Sequence, residues 1–251
     1  GKGRYTADIN LVHQTYAYFV RSPHARAKIK KVDISKAMKA KGVVNIFTGE
    51  DIAREKIGGL IAGWKIVSQD GKDMKVPNHP PLAKDFVNYV GDHVAVVIAE
   101  TLDDAKNAAD LVNVSYDIKK AVVNTSDAMK SEAIHDGIEQ NLCFDFILGD
   151  KKKTEDAFKG ADKIIKLDLR NNRLIPNAME PRACIGDYNA SSDELTLYTT
   201  SQNPHLSRLV LSAFGGIHPE HKFRVVAPDV GGGFGSKIYA YAEDAVTAWA
   251  S

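Results

Sequence analysis

The chain has only two cysteines, Cys143 and Cys184, in 251 residues. Two well-separated thiols make no disulfide framework, and their spacing fits no zinc or iron–sulfur pattern. We read both as inert thiols in a reducing cytoplasm. Long apolar runs are missing as well. The longest, such as 94–99, falls far short of the ~20 residues a membrane helix needs, and no secretory signal opens the chain. Charge of one sign is also absent: 33 Lys and Arg face 32 Asp and Glu, for a net +1. Without a basic stripe, nothing recommends a nucleic-acid partner. The eight histidines show no His-x-x-x-His ligand spacing, and no repeat or low-complexity tract is visible.

What is present is an ordinary globular composition, 44% hydrophobic and 26% charged. It can bury a normal core in one or two domains. The front half reads as α/β. Strands are expected at 14–20 and 26–33 around an Arg21-Ser22-Pro23-His24 turn, then a helix at 34–41 with Gly42 as its C′ residue, then a strand at 43–47. Residues 57–82 are loop-rich. The run 93–100 is a buried strand. Thr101 caps the next helix, with Asp104 three residues on as its partner. Ala105, Ala108, Ala109 and Val112 give that helix one small apolar face, and 112–116 return as a strand. Residues 119–144 lack periodicity and read as a linker. A second unit begins near Asp150, with strands at 164–169, 183–188 and 195–199. It continues with a helix at 204–214, Asn203 as N-cap and Pro204 at N1. A strand at 223–227 and a helix at 239–250 complete it. Lys151-Lys152-Lys153 is expected in a solvated turn.

The most informative stretch is Asp229-Val230-Gly231-Gly232-Gly233-Phe234-Gly235-Ser236-Lys237-Ile238. Four glycines surround one phenylalanine between a strand and a helix, where backbone N–H groups can point at an anion. Glycine permits positive φ there and lets a ligand touch the main chain. It is not a P-loop: Ser236 separates Gly235 from Lys237, and Ile238 stands where a hydroxyl is required. A dinucleotide turn needs glycine at its first, third and sixth positions; Gly231 and Gly233 fit, but Ser236 does not. The residues alone leave two readings, a cofactor loop of another kind or a tight structural turn.

Other positions carry similar alternatives. Gln202 lies between a strand end and a helix start, where ligands gather in open α/β folds. Its amide could donate to an oxo group or close a surface turn. The Phe234 ring could pack beneath the loop while its backbone faces a ligand. Glu180 and Arg182 read as a structural ion pair, and Glu243 and Asp244 as first-turn helix charges. His24 and His205 read as structural, although His205 could border whatever Gln202 meets.

A series of motifs runs the length of the chain. Gly3-Arg4-Tyr5-Thr6-Ala7-Asp8-Ile9, Arg21-Ser22-Pro23-His24-Ala25 and Tyr89-Val90-Gly91-Asp92-His93-Val94 come first. Met179-Glu180-Pro181-Arg182, Thr199-Thr200-Ser201-Gln202-Asn203-Pro204-His205 and Val226-Ala227-Pro228-Asp229-Val230 with the glycine loop follow. In that order they resemble the molybdenum-binding large subunit of the xanthine oxidase, aldehyde oxidase and carbon monoxide dehydrogenase family, in its carbon monoxide dehydrogenase-like branch.

The resemblance implies an α+β chain: an amino-terminal α/β hammerhead domain at 1–120, a linker at 121–145, and the first part of a mixed α/β molybdopterin-binding domain at 146–251. Both ends are expected to be cut. The implied function is a share in a large subunit that oxidises an aldehyde, a heterocycle or carbon monoxide with water as oxygen source. The alternatives are a non-catalytic assembly module and a nucleotide-binding domain. Gln202, Phe234 and Gly235 correspond to catalytic positions of the family, and bind cofactor together with Gly231, Gly232 and Gly233. No side chain is expected to ligate the metal directly. Ile238 would line the substrate pocket, where purine-oxidising members carry an acidic residue, so purines are not expected. The glutamate base belongs to the remaining carboxyl-terminal part of the large subunit, and neither Glu180 nor Glu243 matches it. The implied cofactor is molybdopterin with its molybdenum, the cytosine dinucleotide being one form it could take. FAD on a medium subunit and [2Fe–2S] clusters on a small subunit would complete the enzyme, since this chain lacks the cysteine runs such clusters need.

Overall fold

The run His93-Val94-Ala95-Val96-Val97-Ile98-Ala99 has no polar alternation, so a strand built from it must be covered on both faces. The computed structural model, which describes residues 1–62 and 65–251, places it at the centre of a sheet. The first unit contains β1 (Tyr16–Arg21), β2 (Ala27–Asp33), β3 (Val43–Thr48), α1 (Gly49–Arg54), β4 (Phe86–Val87), β5 (His93–Ala99), α2 (Leu102–Ala109) and β6 (Asn113–Ile118). They form two three-stranded sheets, β1-β5-β3 and β4-β2-β6, with antiparallel pairing throughout. The alanine face of α2 lies on β5: Ala105 and Ala108 are fully buried with Val97, Ala99 and Ile46. Thr101 Oγ1 accepts the Asp104 N–H at 3.1 Å, the expected cap.

A short helix, α3 (Thr125–Ala128), lies in the connection, and the second unit contains α4 (Lys151–Lys159), β7 (Cys184–Asn189), β8 (Glu194–Thr199), α5 (Pro204–Leu209), β9 (Phe223–Val226) and α6 (Ala242–Ala250). Its sheet runs β7-β8-β9, with β8 antiparallel to β7 and parallel to β9. One face of α6 puts Ala245 and Ala248 on Leu195, Leu197 and Phe223. Its other face sends Val246 and Trp249 into a cluster with Ile52, Leu82 and Val96 of the first unit. The Trp249 ring meets Phe47 at 4.7 Å. Because α6 is apolar on two sides, it fastens the units together.

Several expected elements differ from those observed. Residues 34–41 hold only a 3-10 turn, Ala37–Lys39. Asp33 Oδ1 accepts the Ser35 N–H at 3.0 Å and competes with helix initiation; Gly42 does take the left-handed conformation, φ +70. Lys151 to Lys153 are exposed as foreseen, but they form the first turn of a helix capped by Asp150 rather than a loop. The helix from Pro204 changes to a π turn at Val210–Phe214, and Asn203 holds the N-cap position without a side-chain bond. The last helix starts at Ala242, three residues later than expected. Residues 164–169 form no strand, because among the described residues nothing pairs with them. Among the described residues no helix is long and apolar enough to cross a membrane, and both cysteines are free.

Candidate cofactor site

The glycine loop leaves β9 and is anchored at both ends. At its start, the Arg4 N–H donates to Asp229 Oδ2 at 2.8 Å and the Asp229 N–H donates to the Arg4 carbonyl at 3.1 Å. The amino-terminal segment therefore holds the loop of the second unit. Further along, Glu180 Oε2 accepts the Gly231 N–H at 2.7 Å and the Lys237 ammonium at 3.0 Å. Lys237 Nζ also donates to the Glu180 carbonyl at 2.8 Å. The Lys237 side chain is only 2% exposed. A charge so buried persists only with a well-bonded partner. The expected Glu180–Arg182 pair is thus corrected. The buried ammonium claims Glu180, while Arg182 reaches Glu243 at 3.5 Å and stacks on the Tyr241 ring at 3.5 Å.

Gln202 braces the loop from the end of β8. Its Oε1 accepts the N–H groups of Gly235 at 3.0 Å and Lys237 at 3.2 Å. Its own N–H donates to the Lys237 carbonyl at 2.8 Å. The carbonyl end of the amide is fully used, whereas Nε2 bonds no described residue. Three loop amides, those of Gly232, Gly233 and Phe234, likewise have no partner among the described residues. The Ser236 amide turns inward to the Gly233 carbonyl at 3.0 Å, and the Tyr241 hydroxyl donates to the Ser236 carbonyl.

Backbone conformation explains the glycines. Gly232 and Gly235 have φ of +95 and +85. A Cβ added at Gly233 would collide with the Gln202 amide. Phe234 also has positive φ, +52, a conformation that costs a non-glycine residue about 1–3 kcal/mol. Its ring is 74% exposed, so packing beneath the loop does not account for it. Phe234 thus combines a left-handed backbone with an exposed aromatic ring. Ile238, just past the turn that begins at Phe234, is half-buried.

Beside the loop lies a charge cluster that no sequence spacing foretold. Glu243, at the first turn of α6, meets Arg21 of β1 at 2.8 Å and His93 of β5 at 3.1 Å, besides Arg182. Burial pushes the Glu243 carboxyl up, but the contacts with His93, Arg21 and Arg182 outweigh it and hold it well below the usual range. Asp244 accepts the Thr199 hydroxyl at 2.7 Å, and burial raises its carboxyl. Burial also raises the Cys184 thiol, which disfavours the thiolate. A cavity of about 240 Å³ opens among Arg21, Arg182, Cys184, Tyr241 and Glu243. Glu243 therefore does more than favour the helix end, since it joins the units, while Asp244 ties α6 to β8. His24 packs edge-on against Tyr116 at 4.9 Å, a structural role. His205 lies on α5 at a groove beside Glu194, Arg208 and Phe223.

Among the described residues no group of three His, Cys, Asp or Glu could hold a metal ion. The loop offers hydrogen-bond donors, not ligand atoms, which suits an oxygen-rich group that brings its own metal ligation.

Residues 1–120 match the model of the aldehyde oxidase and xanthine dehydrogenase a/b hammerhead domain, and residues 134–251 match that of the molybdopterin cofactor-binding domain. The nicotine 6-hydroxylase large subunit of Paenarthrobacter nicotinovorans is 33% identical, over 100% of this chain and 30% of its own length. The carbon monoxide dehydrogenase large chain of Afipia carboxidovorans is 33% identical over 96% of this chain and 30% of its own. Among solved structures, reconstituted CO dehydrogenase from Oligotropha carboxidovorans superposes with a TM-score of 0.87 at 32% identity, covering 100% of this chain and 31% of that one. Quinoline 2-oxidoreductase from Pseudomonas putida 86 gives 0.84 at 28% identity over 98% of this chain and 30% of its own. The chain thus spans about 30% of the length of these relatives. It belongs to the xanthine oxidase, aldehyde oxidase and carbon monoxide dehydrogenase family of molybdenum-binding large subunits, and carries that family's hammerhead and molybdopterin-binding domains.

Proposed function

We propose that this chain supplies one wall of the active site of a molybdenum hydroxylase acting on an aldehyde, a heterocycle or carbon monoxide. The observation that carries the reading is the state of Gln202: two loop amides take its Oε1, so its Nε2 is left to donate outward. Together with the free N–H groups of Gly232, Gly233 and Phe234, this makes a set of donors with no competing acceptor. Such a set fits the oxygen atoms of a molybdopterin cofactor. Gly231, Gly232 and Gly233 let the cofactor approach the main chain, and Phe234 and Gly235 lie where the donors emerge. When bound, the cofactor supplies the two-electron oxidation and delivers an oxygen atom that originates in water.

The residues of this chain bind and orient. Gln202, fixed at its carbonyl end, needs no reorganisation to donate at Nε2, the condition under which a single hydrogen bond contributes most. The exposed Phe234 ring forms an apolar wall that displaces water from the same surface. Ile238 offers no hydrogen bond, which disfavours purines and suits an apolar or small substrate. We assign 1–120 to the hammerhead domain, 121–145 to a linker and 146–251 to the molybdopterin unit. The cofactor is proposed in its cytosine dinucleotide form, with FAD on a medium subunit and [2Fe–2S] clusters on a small subunit accepting the electrons in the cytoplasm.

Gln202→Ala in the assembled enzyme tests the reading. Loss of one oriented donor should lower turnover about 10²-fold, with molybdenum per chain retained. Unchanged turnover would remove Gln202 from the mechanism.

A further inference from the structure

The peptide unit between Ser236 and Lys237 is held at both ends by side chains. Its carbonyl accepts the Tyr241 hydroxyl. Its N–H donates to Gln202 Oε1 at 3.2 Å. Gly231, Gly232, Gly233 and Gly235 precede it and give the loop little stiffness of its own. The plane of this peptide is therefore set by its two partners. That plane also decides how Gln202 is used, because the Lys237 N–H is one of the two amides that occupy Oε1. Were the plane to turn, Oε1 would keep a single donor. The amide would then be free to rotate, and Nε2 would lose its fixed direction.

We propose that Tyr241 is a positioning residue for the oxidation: through the 236–237 peptide it fixes the Gln202 amide with Nε2 outward. The inference rests on the role assigned to Gln202 above. The backbone of Tyr241 is well anchored for this. Its N–H donates to Asp244 Oδ2 at 3.0 Å, and Asp244 Oδ1 accepts the hydroxyl of Thr199 at 2.7 Å. Thr199 ends β8, three residues before Gln202, so donor and target are referred to one strand end. The ring is clamped as well. The Arg182 guanidinium lies over it, 3.5 Å from the centroid. Arg182 reaches Glu243 at 3.5 Å, and Arg21 and His93 of the first unit hold that carboxylate at 2.8 Å and 3.1 Å. The clamp matters because the ring borders the cavity of about 240 Å³, which has room for an unheld side chain. Burial raises the Tyr241 phenol, so the hydroxyl keeps its proton. The hydroxyl takes no part in capping α6. That cap is the backbone N–H on Asp244, so removing the hydroxyl leaves the helix start intact.

Tyr241→Phe in the assembled enzyme keeps the ring under Arg182 and removes only the hydroxyl. Turnover should fall about 10-fold, the effect of one lost hydrogen bond, in kcat rather than KM and with molybdenum per chain retained. A double-mutant cycle then separates positioning from a merely structural role. Because Tyr241 acts through Gln202, adding Tyr241→Phe to Gln202→Ala should lower turnover no further than Gln202→Ala alone. A structural role predicts that the two losses multiply. The second readout needs no turnover. Amide hydrogen exchange across 232–238, measured by mass spectrometry on cofactor-free enzyme, should be about 10-fold faster in Tyr241→Phe. Unchanged turnover in Tyr241→Phe, multiplying losses, or unchanged exchange overturns this proposal alone, provided that Gln202→Ala is damaging. A harmless Gln202→Ala removes the functional reading and this proposal with it.

Discussion

Replacing Lys237 with methionine puts the site's construction to a quantitative test. The ammonium is 2% exposed and bonds both the carboxylate and the carbonyl of Glu180. Methionine matches the side chain in length and removes the charge. Glu180 is then left as a buried carboxylate whose Oε2 keeps only the Gly231 N–H, while its Oε1 already has no partner. Breaking one side of a buried pair costs about 3–5 kcal/mol, because the remaining charge stays desolvated. In a chain of this size each kcal/mol moves the melting temperature by about 2–4 °C, so a fall of about 6–20 °C is expected in a thermal melt of the full chain. The double variant Lys237→Met/Glu180→Gln removes the stranded charge while the glutamine oxygen still accepts from Gly231. It should recover at least about 2 kcal/mol relative to Lys237→Met alone, which a double-mutant cycle measures directly. A loss under about 1 kcal/mol in the single variant, or strict additivity in the cycle, would refute the account of a buried pair that locks the Glu180 segment to the loop.

Other perturbations bear on the same region. Gly233→Val should block cofactor loading in the assembled enzyme, because its side chain would occupy the place of the Gln202 amide; normal molybdenum content sinks that expectation. Phe234→Gly should raise the stability of the isolated chain by about 1 kcal/mol through relief of the left-handed backbone, and an unchanged or lower denaturation midpoint counts against strain there. Glu243→Gln should destabilise the chain at neutral pH and progressively less in acid. The Glu243 carboxyl is held below its ordinary value of 4.5, so its stabilisation is present above that pH and lost as pH falls through the folded-state value. Asp244, shifted the other way, remains in both proteins and cancels from the difference. Urea midpoints at pH 7 and pH 3.5 read the effect, and a difference that does not shrink in acid contradicts the assignment.

Local signals carried most of the fold. The uninterrupted apolar run of β5, the Thr101 cap with its alanine face, and the alternation in β8 each depend on neighbours a few residues away. Where sequence and structure diverge, the deciding partner is remote or missing. The alternation at 164–169 has strand character, but a strand needs a second backbone, and the described residues supply none. Residues 34–41 have helical spacing, yet Asp33 captures the Ser35 amide. The helix α1 escaped notice because its capping pair, Thr48 and Asp51, sits between a strand and a loop-rich tract with no long periodic face to reveal it.

The site divides along the same line. Gln202 and the glycine loop were visible because each is a compact motif. That they bond each other was not, since Gln202 Oε1 reaches amides 33 and 35 residues away. The partner of Glu180 was misread for the same reason: Arg182 is near in sequence, but Lys237 is buried, and burial rather than proximity decides which cation a buried carboxylate takes. Phe234 shows the limit most sharply. A phenylalanine between glycines looks apolar, and its exposure and positive φ appear only once Gln202 and Glu180 have fixed the chain on either side. The two bracing residues are what make the loop's remaining amides available. The loop proposed to hold the cofactor is therefore distinguished less by its glycines than by the side chains that occupy some of its donors and leave the others free.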